Sequence, residues 1–275
     1  MKIALCNEVI ADRPFPAQCE LAAKLGYDAL EIAPFTLAAE PHLIAASARQ
    51  GVRRATTEAG LWISSLHWLL VAPEGLSITS ADAAVRAQTI DVARRLIALA
   101  ADLGADVLVH GSPVQRQVVE AGDAERGKAF FLEIAEAAAD AGVTYCIEPL
   151  AGRETNFINC VADAAAIVEE ADNPALRTMV DCAAASLDED LPVDALLRRW
   201  LPTGMIAHVQ VNDQSRLGPG QGNDRFAGVV GALTSHGYSG VVAVEPFDYS
   251  PDGAGSAARA IGYLRGLEEG MSWSS

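Results

Sequence analysis

Short apolar runs alternate with longer amphipathic stretches along the whole of this chain. Eight of the short runs, at residues 2–7, 29–32, 62–67, 106–110, 144–148, 178–181, 207–212 and 241–245, read as strands. Most are apolar at nearly every position, the pattern of strands covered on both faces. Between them lie stretches with helical spacing, among them 16–25, 81–103, 124–141, 161–171, 193–200, 226–235 and 255–267. Several stop at a glycine, in Leu25-Gly26, Leu103-Gly104, Ala141-Gly142 and His236-Gly237. Glycine is favoured there because the residue after the last turn takes a left-handed conformation. The segments "LAAKLGYDALEI", "LAADLGADVLVH" and "AAADAGVTYCIE" share one grammar: helix, glycine, short link, buried strand. Eight such units predict an α/β fold, a closed (β/α)8 barrel forming one domain over residues 1–275. An open doubly wound sheet for a dinucleotide would want a Gly-rich loop after the first strand, and "CNEVIADRP" has none. Residues 71–80 read as a long strand-to-helix loop, and Pro192 as a helix start after an acidic turn at 188–190.

In such a barrel the chemistry sits at the C-terminal ends of the strands. Four predicted strands end in oxygen donors: Glu148 in "CIEPL", Asp181 in "MVDCA", Gln210 in "AHVQVND" and Glu245 in "AVEPF". His208 and Gln210 are two apart and share a strand face. One strand-end carboxylate alone is often a helix N-cap. Three on one rim repel one another and resist desolvation unless a cation neutralises them. Glu148, Asp181, Gln210 and Glu245 are therefore expected to hold a divalent metal. Their hard oxygen donors suit Mn²⁺ or Mg²⁺ more than Zn²⁺; Mn²⁺ is the first expectation, with Mg²⁺, Co²⁺ or Zn²⁺ as alternatives.

Charge and composition narrow the partners. The formal net charge of −16 opposes nucleic acid and anionic membrane surfaces. No apolar stretch approaches the roughly 18 residues of a membrane span, and the N-terminus lacks a signal-peptide core. The five cysteines, Cys6, Cys19, Cys146, Cys160 and Cys182, form no C-x-x-C pair. Free thiols and a cytoplasmic location are expected.

With these residues in view, the chain resembles the xylose isomerase-like TIM barrels of the sugar phosphate isomerase/epimerase group. That group includes hydroxypyruvate isomerase, the ketose 3-epimerases and inosose dehydratase. The resemblance covers nearly the whole chain and rests on "GYDALEIAPF", "LHWLL", "VHGSPVQR", "EPLAGRETNFIN", "HVQVNDQSRLGPGQG" and "VVAVEPF". It places the metal ligands on Glu148, Asp181, Gln210 and Glu245. The separations of 33 between Glu148 and Asp181 and of 35 between Gln210 and Glu245 match the family pattern. It places substrate-binding roles on Glu154 and Arg216, each six residues beyond a ligand. The ketose epimerases have a histidine three residues after the metal aspartate, where this chain has Ala184. The span from Asp181 to Gln210 is also about three residues longer than the family's, which predicts a small loop insertion near 186–190.

The resemblance implies a metal-dependent sugar isomerase or epimerase. Glu148 and Glu245 would exchange a proton with the substrate through a metal-stabilised enediolate. Arg216 would bind a substrate oxygen or an anionic tail, and Glu154 a hydroxyl. Trp68 offers an apolar wall. His67 and His110 end strands, where either could line a pocket or fill the core. His208 reads as a pocket residue or as a packed histidine donating to a carboxylate. His42 and His236 lie in helical contexts with no assigned role. An unphosphorylated substrate and a homodimer or homotetramer fit this reading. The alternatives are a dehydratase of a keto-inositol on the same scaffold and a non-catalytic sugar-binding barrel. A phosphodiesterase related to endonuclease IV is disfavoured by five scattered histidines and the charge of −16.

Overall fold

The computed structural model describes residues 1–272. Eight parallel strands, β1 (Lys2–Cys6), β2 (Ala29–Ile32), β3 (Trp62–Leu66), β4 (Val107–His110), β5 (Thr144–Ile147), β6 (Leu176–Asp181), β7 (Ile206–Val211) and β8 (Val241–Val244), follow one another around a closed barrel. The ring is sealed by β8 pairing with β1, Lys2 lying opposite Val241 and Leu5 opposite Val244. Outside run α1 (Phe15–Leu25), α2 (Ala46–Glu58), α3 (Ala83–Leu103), α4 (Asp123–Ala141), α5 (Val161–Ala171), α6 (Cys182–Asp188), α7 (Val193–Trp200), α8 (Ala227–Ser235) and α9 (Gly253–Ser272). The predicted strands lie within two residues of the observed ones. Gly26, Gly104 and Gly142 end α1, α3 and α4 at φ of 94°, 77° and 69°, where a side chain would strain the backbone.

The main apolar layer lies between strands and helices, with Leu30, Leu66, Leu108 and Ile147 facing Ala22, Leu96, Phe131 and Ile134. A separate small group, Val109, Cys146 and Met179, is flanked by Val107 and Ala207. Alternation puts Cys146 on the face of Glu148 and Met179 on the face of Asp181, so this apolar patch sits one layer below those acids. The five cysteines are free thiols, four of them buried. No helix among the described residues is long and apolar enough to cross a membrane.

Two elements depart from the sequence reading. Helix α2 is polar around most of its circumference, and only Thr56 is fully buried, so its apolar stripe is faint. The segment 186–190, where the sequence places a small loop insertion, carries the end of α6 and its link to α7. This short helix forms because Asp181 caps it: Asp181 Oδ1 accepts a hydrogen bond of 2.7 Å from the Ala184 amide. "CAAAS" then supplies small residues with good helix propensity.

Candidate functional site

Glu148, Asp181 and Glu245 converge at the C-terminal rim of the barrel. Each offers an oxygen within 4.8 Å of the others, and they keep only 7%, 5% and 2% of their surface exposed. Burial pushes all three carboxyls up. Glu148 rises well above the usual range, with Glu245 and Asp181 adding repulsion. Asp181 is pushed up to about 6 and Glu245 to about 8. Such crowding is what a divalent cation would relieve.

Each acid is held differently. Asp181 uses Oδ1 as the α6 cap, and Oδ2 accepts 2.8 Å from Asn212 Nδ2, whose own Oδ1 accepts from the Ala183 amide. Every carboxylate oxygen has two lone pairs, so capping leaves Asp181 able to ligate. Glu245 Oε1 lies 2.9 Å from His67 Nδ1 and accepts 3.1 Å from the Trp68 indole, while Oε2 is buried without a partner. The Glu148 carboxylate accepts no hydrogen bond from the described residues. It occupies the space left by Gly111, where a Cβ would lie 1.7 Å from Glu148 Oε2.

Gln210 pairs with Asp181 across β6 and β7 and is fully buried. Its Nε2 donates 2.7 Å to Glu31 Oε1, and its own Oε1 has no partner. The unpartnered Oε1 of Gln210 and Oε2 of Glu245 are buried acceptors beside crowded carboxylates. That donor set fits a hard divalent cation.

Below the rim lies a polar cluster on the other side of the barrel. Glu31 is fully buried and accepts from Ser65 Oγ and, at 3.1 Å, from Cys6 Sγ. His208 Nε2 lies 2.7 Å from its Oε2. Burial opposes ionisation of Glu31, yet the His208 and His67 charges hold its carboxyl well below the usual range. The second nitrogen of His67 lies 3.1 Å from Glu8 Oε2. Burial alone would favour a neutral His67, but Glu8, Glu31 and Glu245 raise it well above the ordinary imidazole value. Cys6, Glu8, His67 and Glu245 form a second group of close ligand atoms.

A cleft opens above the acids. It is lined by Trp68, Gly111, Pro113, Leu150, Arg153, Glu154, Ala183, Ala184, Asp213, Arg216 and Phe247 together with Glu148, Asp181 and Glu245. Trp68 and Phe247 face each other across 6.2 Å, and the Arg216 guanidinium lies 5.1 Å over the Phe247 ring. Trp68 and Arg216 both have positive φ, 52° and 73°, uncommon values for large side chains and often found at binding sites.

Of the residues singled out from sequence, Glu148, Asp181, Glu245, Glu154, Arg216 and Trp68 thus share the cleft. His67 reaches it through Glu245, and His208 lies beneath it on Glu31. His110 points elsewhere: its Nδ1 is 2.8 Å from the Tyr145 hydroxyl and its ring packs on Phe130 and Phe131 of α4. Burial drives His110 well below the ordinary value, the state of a packed neutral imidazole. His42 is buried in a short 3-10 turn, and His236 closes α8.

Sequence reasoning passed over Glu8, Glu31, Asn212, Phe247 and Arg116. Glu31 had a signal, a lone acid inside the apolar run "ALEIA". Arg116 is fully buried, and none of its guanidinium nitrogens has a hydrogen-bond partner. Burial lowers it to about 10, while Glu148 and Glu154 offset part of that loss.

A family model for the xylose isomerase-like TIM barrel matches residues 19–267. The chain belongs to this family. Within it, the chain is 30% identical to an L-ribulose 3-epimerase of Mesorhizobium japonicum over 62% of its own length and 58% of that protein's. It is 28% identical to a D-psicose 3-epimerase of Agrobacterium fabrum over 85% of its length and 79% of that protein's. Among solved structures, the D-psicose 3-epimerase of Clostridium cellulolyticum H10 with D-tagatose superposes with a TM-score of 0.84. That superposition covers 97% of this chain and 99% of the other at 21% identity, and shows the shared xylose isomerase-like barrel.

Proposed function

We propose that this protein is a divalent-metal-dependent epimerase or isomerase of a small, unphosphorylated keto-sugar. The observation that carries the reading is the convergence of Glu148, Asp181 and Glu245, buried and crowded, at the floor of a cleft with aromatic walls. The relatives named above are epimerases, which favours return of the proton over loss of a β-hydroxyl. Glu148, Asp181, Glu245 and the Gln210 carbonyl would hold the ion, and Mn²⁺ suits this all-oxygen set. When bound, the ion neutralises the acids and stabilises negative charge developing on two adjacent substrate oxygens.

The chain's own residues do the rest. Glu245, braced by His67 and Trp68 and with its charge offset by the ion when bound, would be the carboxylate that accepts the proton from the carbon beside the carbonyl. Glu148, whose carboxylate accepts no protein hydrogen bond, returns a proton on the opposite face. Trp68 and Phe247 cover the sugar ring and exclude water. Glu154 and Arg216 bind hydroxyls. Five carboxylates against two arginines line the cleft, which suits a neutral substrate better than a phosphate ester.

The test is a panel of ketoses in D₂O with Mn²⁺, followed by NMR. A substrate should epimerise or isomerise with deuterium entering beside the carbonyl. Chelation should stop the reaction and Mn²⁺ restore it. Turnover indifferent to chelator, or an enone product from a 2-keto-inositol in place of an epimer, overturns the proposal.

A further inference from the structure

A glutamine is an ambiguous metal ligand. Its amide presents an oxygen on one side and an NH₂ on the other, and only the oxygen binds a hard cation. Something must choose which end meets the acids. The choice falls to a residue from the opposite half of the barrel.

Glu31 lies in β2, 179 positions away from Gln210 in sequence. Its carboxylate accepts from Ser65 Oγ and, at 3.1 Å, from Cys6 Sγ, and His208 Nε2 lies 2.7 Å from one of its oxygens. Gln210 Nε2 completes the set at 2.7 Å. With Ser65 and Cys6 both donating to it, the Glu31 carboxylate is the acceptor of this cluster. Facing it with the amide oxygen would set two acceptors against each other in a fully buried position, which is costly. The NH₂ end is therefore fixed on Glu31. Gln210 Oε1 is left as a buried acceptor without a partner, on the residue paired with Asp181.

We propose that Glu31 is the positioning residue of the metal centre, turning the Gln210 amide so that its oxygen serves as the fourth ligand. This rests on the reading of Gln210 as a ligand and deepens it. Ser65 shares the task by donating to the other Glu31 oxygen. Partners behind a ligand typically change metal affinity by about 10- to 100-fold when lost.

Mn²⁺ titration by calorimetry, with a melting curve for each protein, tests the proposal on the full chain. The unaltered protein comes first: if it takes up no Mn²⁺, the metal reading itself falls. If it binds, Glu31→Gln should weaken binding at least tenfold, because an amide at 31 accepts either end of Gln210. The exchange variant Glu31→Gln/Gln210→Glu should recover affinity relative to Glu31→Gln, since an NH₂ at 31 again leaves an oxygen at 210 for the ion. Gln210→Glu alone controls for the added charge. It should bind more weakly than the exchange variant, with two carboxylates facing each other. A folded Glu31→Gln that binds within threefold of the parent overturns the proposal. So does an exchange variant no better than Glu31→Gln, or no better than Gln210→Glu. If Glu31→Gln fails to fold, the exchange variant decides alone: folded and binding supports the proposal, and anything else overturns it.

Discussion

Replacing Gly111 by alanine isolates the position of one proposed catalytic group, Glu148. Gly111 follows β4, and a Cβ there would lie 1.7 Å from Glu148 Oε2 and 2.7 Å from its Cδ. Ordinary contact requires roughly twice the shorter distance, so the carboxylate tip must retreat by about 1.5 Å or more. The obstructing atoms are the end of a flexible side chain, so the fold can absorb the change. The expected stability cost is below about 1 kcal/mol, or roughly 3 °C in melting temperature. Catalysis is less forgiving, because a misplacement of about 1 Å can cost about 100-fold. That corresponds to about 2.7 kcal/mol in the barrier. The assay pairs kcat/KM for a ketose substrate with a melting curve. A useful contrast is Gly253→Ala, whose Cβ would lie 1.8 Å from the backbone oxygen of Val9, an atom that cannot swing away. That variant should lose stability, by about 2 kcal/mol, rather than activity per folded molecule. If Gly111→Ala turns over like the parent, Glu148 is not placed by that gap and its assigned role is wrong.

Other outcomes follow from the same charges. In the metal-free protein, Asp181 and Glu245 carry carboxyls raised by burial to about 6 and about 8. A raised acid binds protons in the folded state that it has lost in the unfolded state. The stability it contributes is thus full below about pH 4 and lost as pH climbs through 6 and 8. Denaturant melts should show the metal-free chain weakening from pH 5 to 8.5, while Mn²⁺ affinity rises over the same range because ligands must shed protons. A flat pH dependence of both counts against the cluster. Arg116→Met removes a positive charge near Glu148 and Glu154. It should push the Glu148 carboxyl further up and weaken Mn²⁺ binding at neutral pH. Stability should hold or rise, since an unpaired buried guanidinium is replaced by an apolar group of similar length. Unchanged metal affinity with lost stability would point instead to a purely packing role for Arg116.

The barrel was legible because its logic is local. Glycines after helices and apolar runs of strand length report on their own neighbourhood, and eight repeats leave few arrangements. The rim acids were legible because barrel topology converts "end of strand" into "same place". Glu31 was not, because its meaning depends on which residues closure brings opposite it, and β7 is remote from β2 in sequence and around the ring. Helix α6 was obscured because reading Asp181 as a ligand hid it as a cap. His110 and His67 look alike in sequence, each the polar end of an apolar run. Only packing separates the one against Phe130 and Phe131 from the one between two glutamates.

The barrel divides its labour between its two halves. All four oxygen donors come after residue 147, on β6 and β7 and just beyond β5 and β8, whereas Glu8, Glu31, His67 and Trp68, which orient and brace Gln210 and Glu245, come from the first three strands and the turns that follow. Neither half carries a working centre. On the proposed reading, ion uptake reports that the ring has shut, and mutations along the β8–β1 seam should register there before they register in the helices.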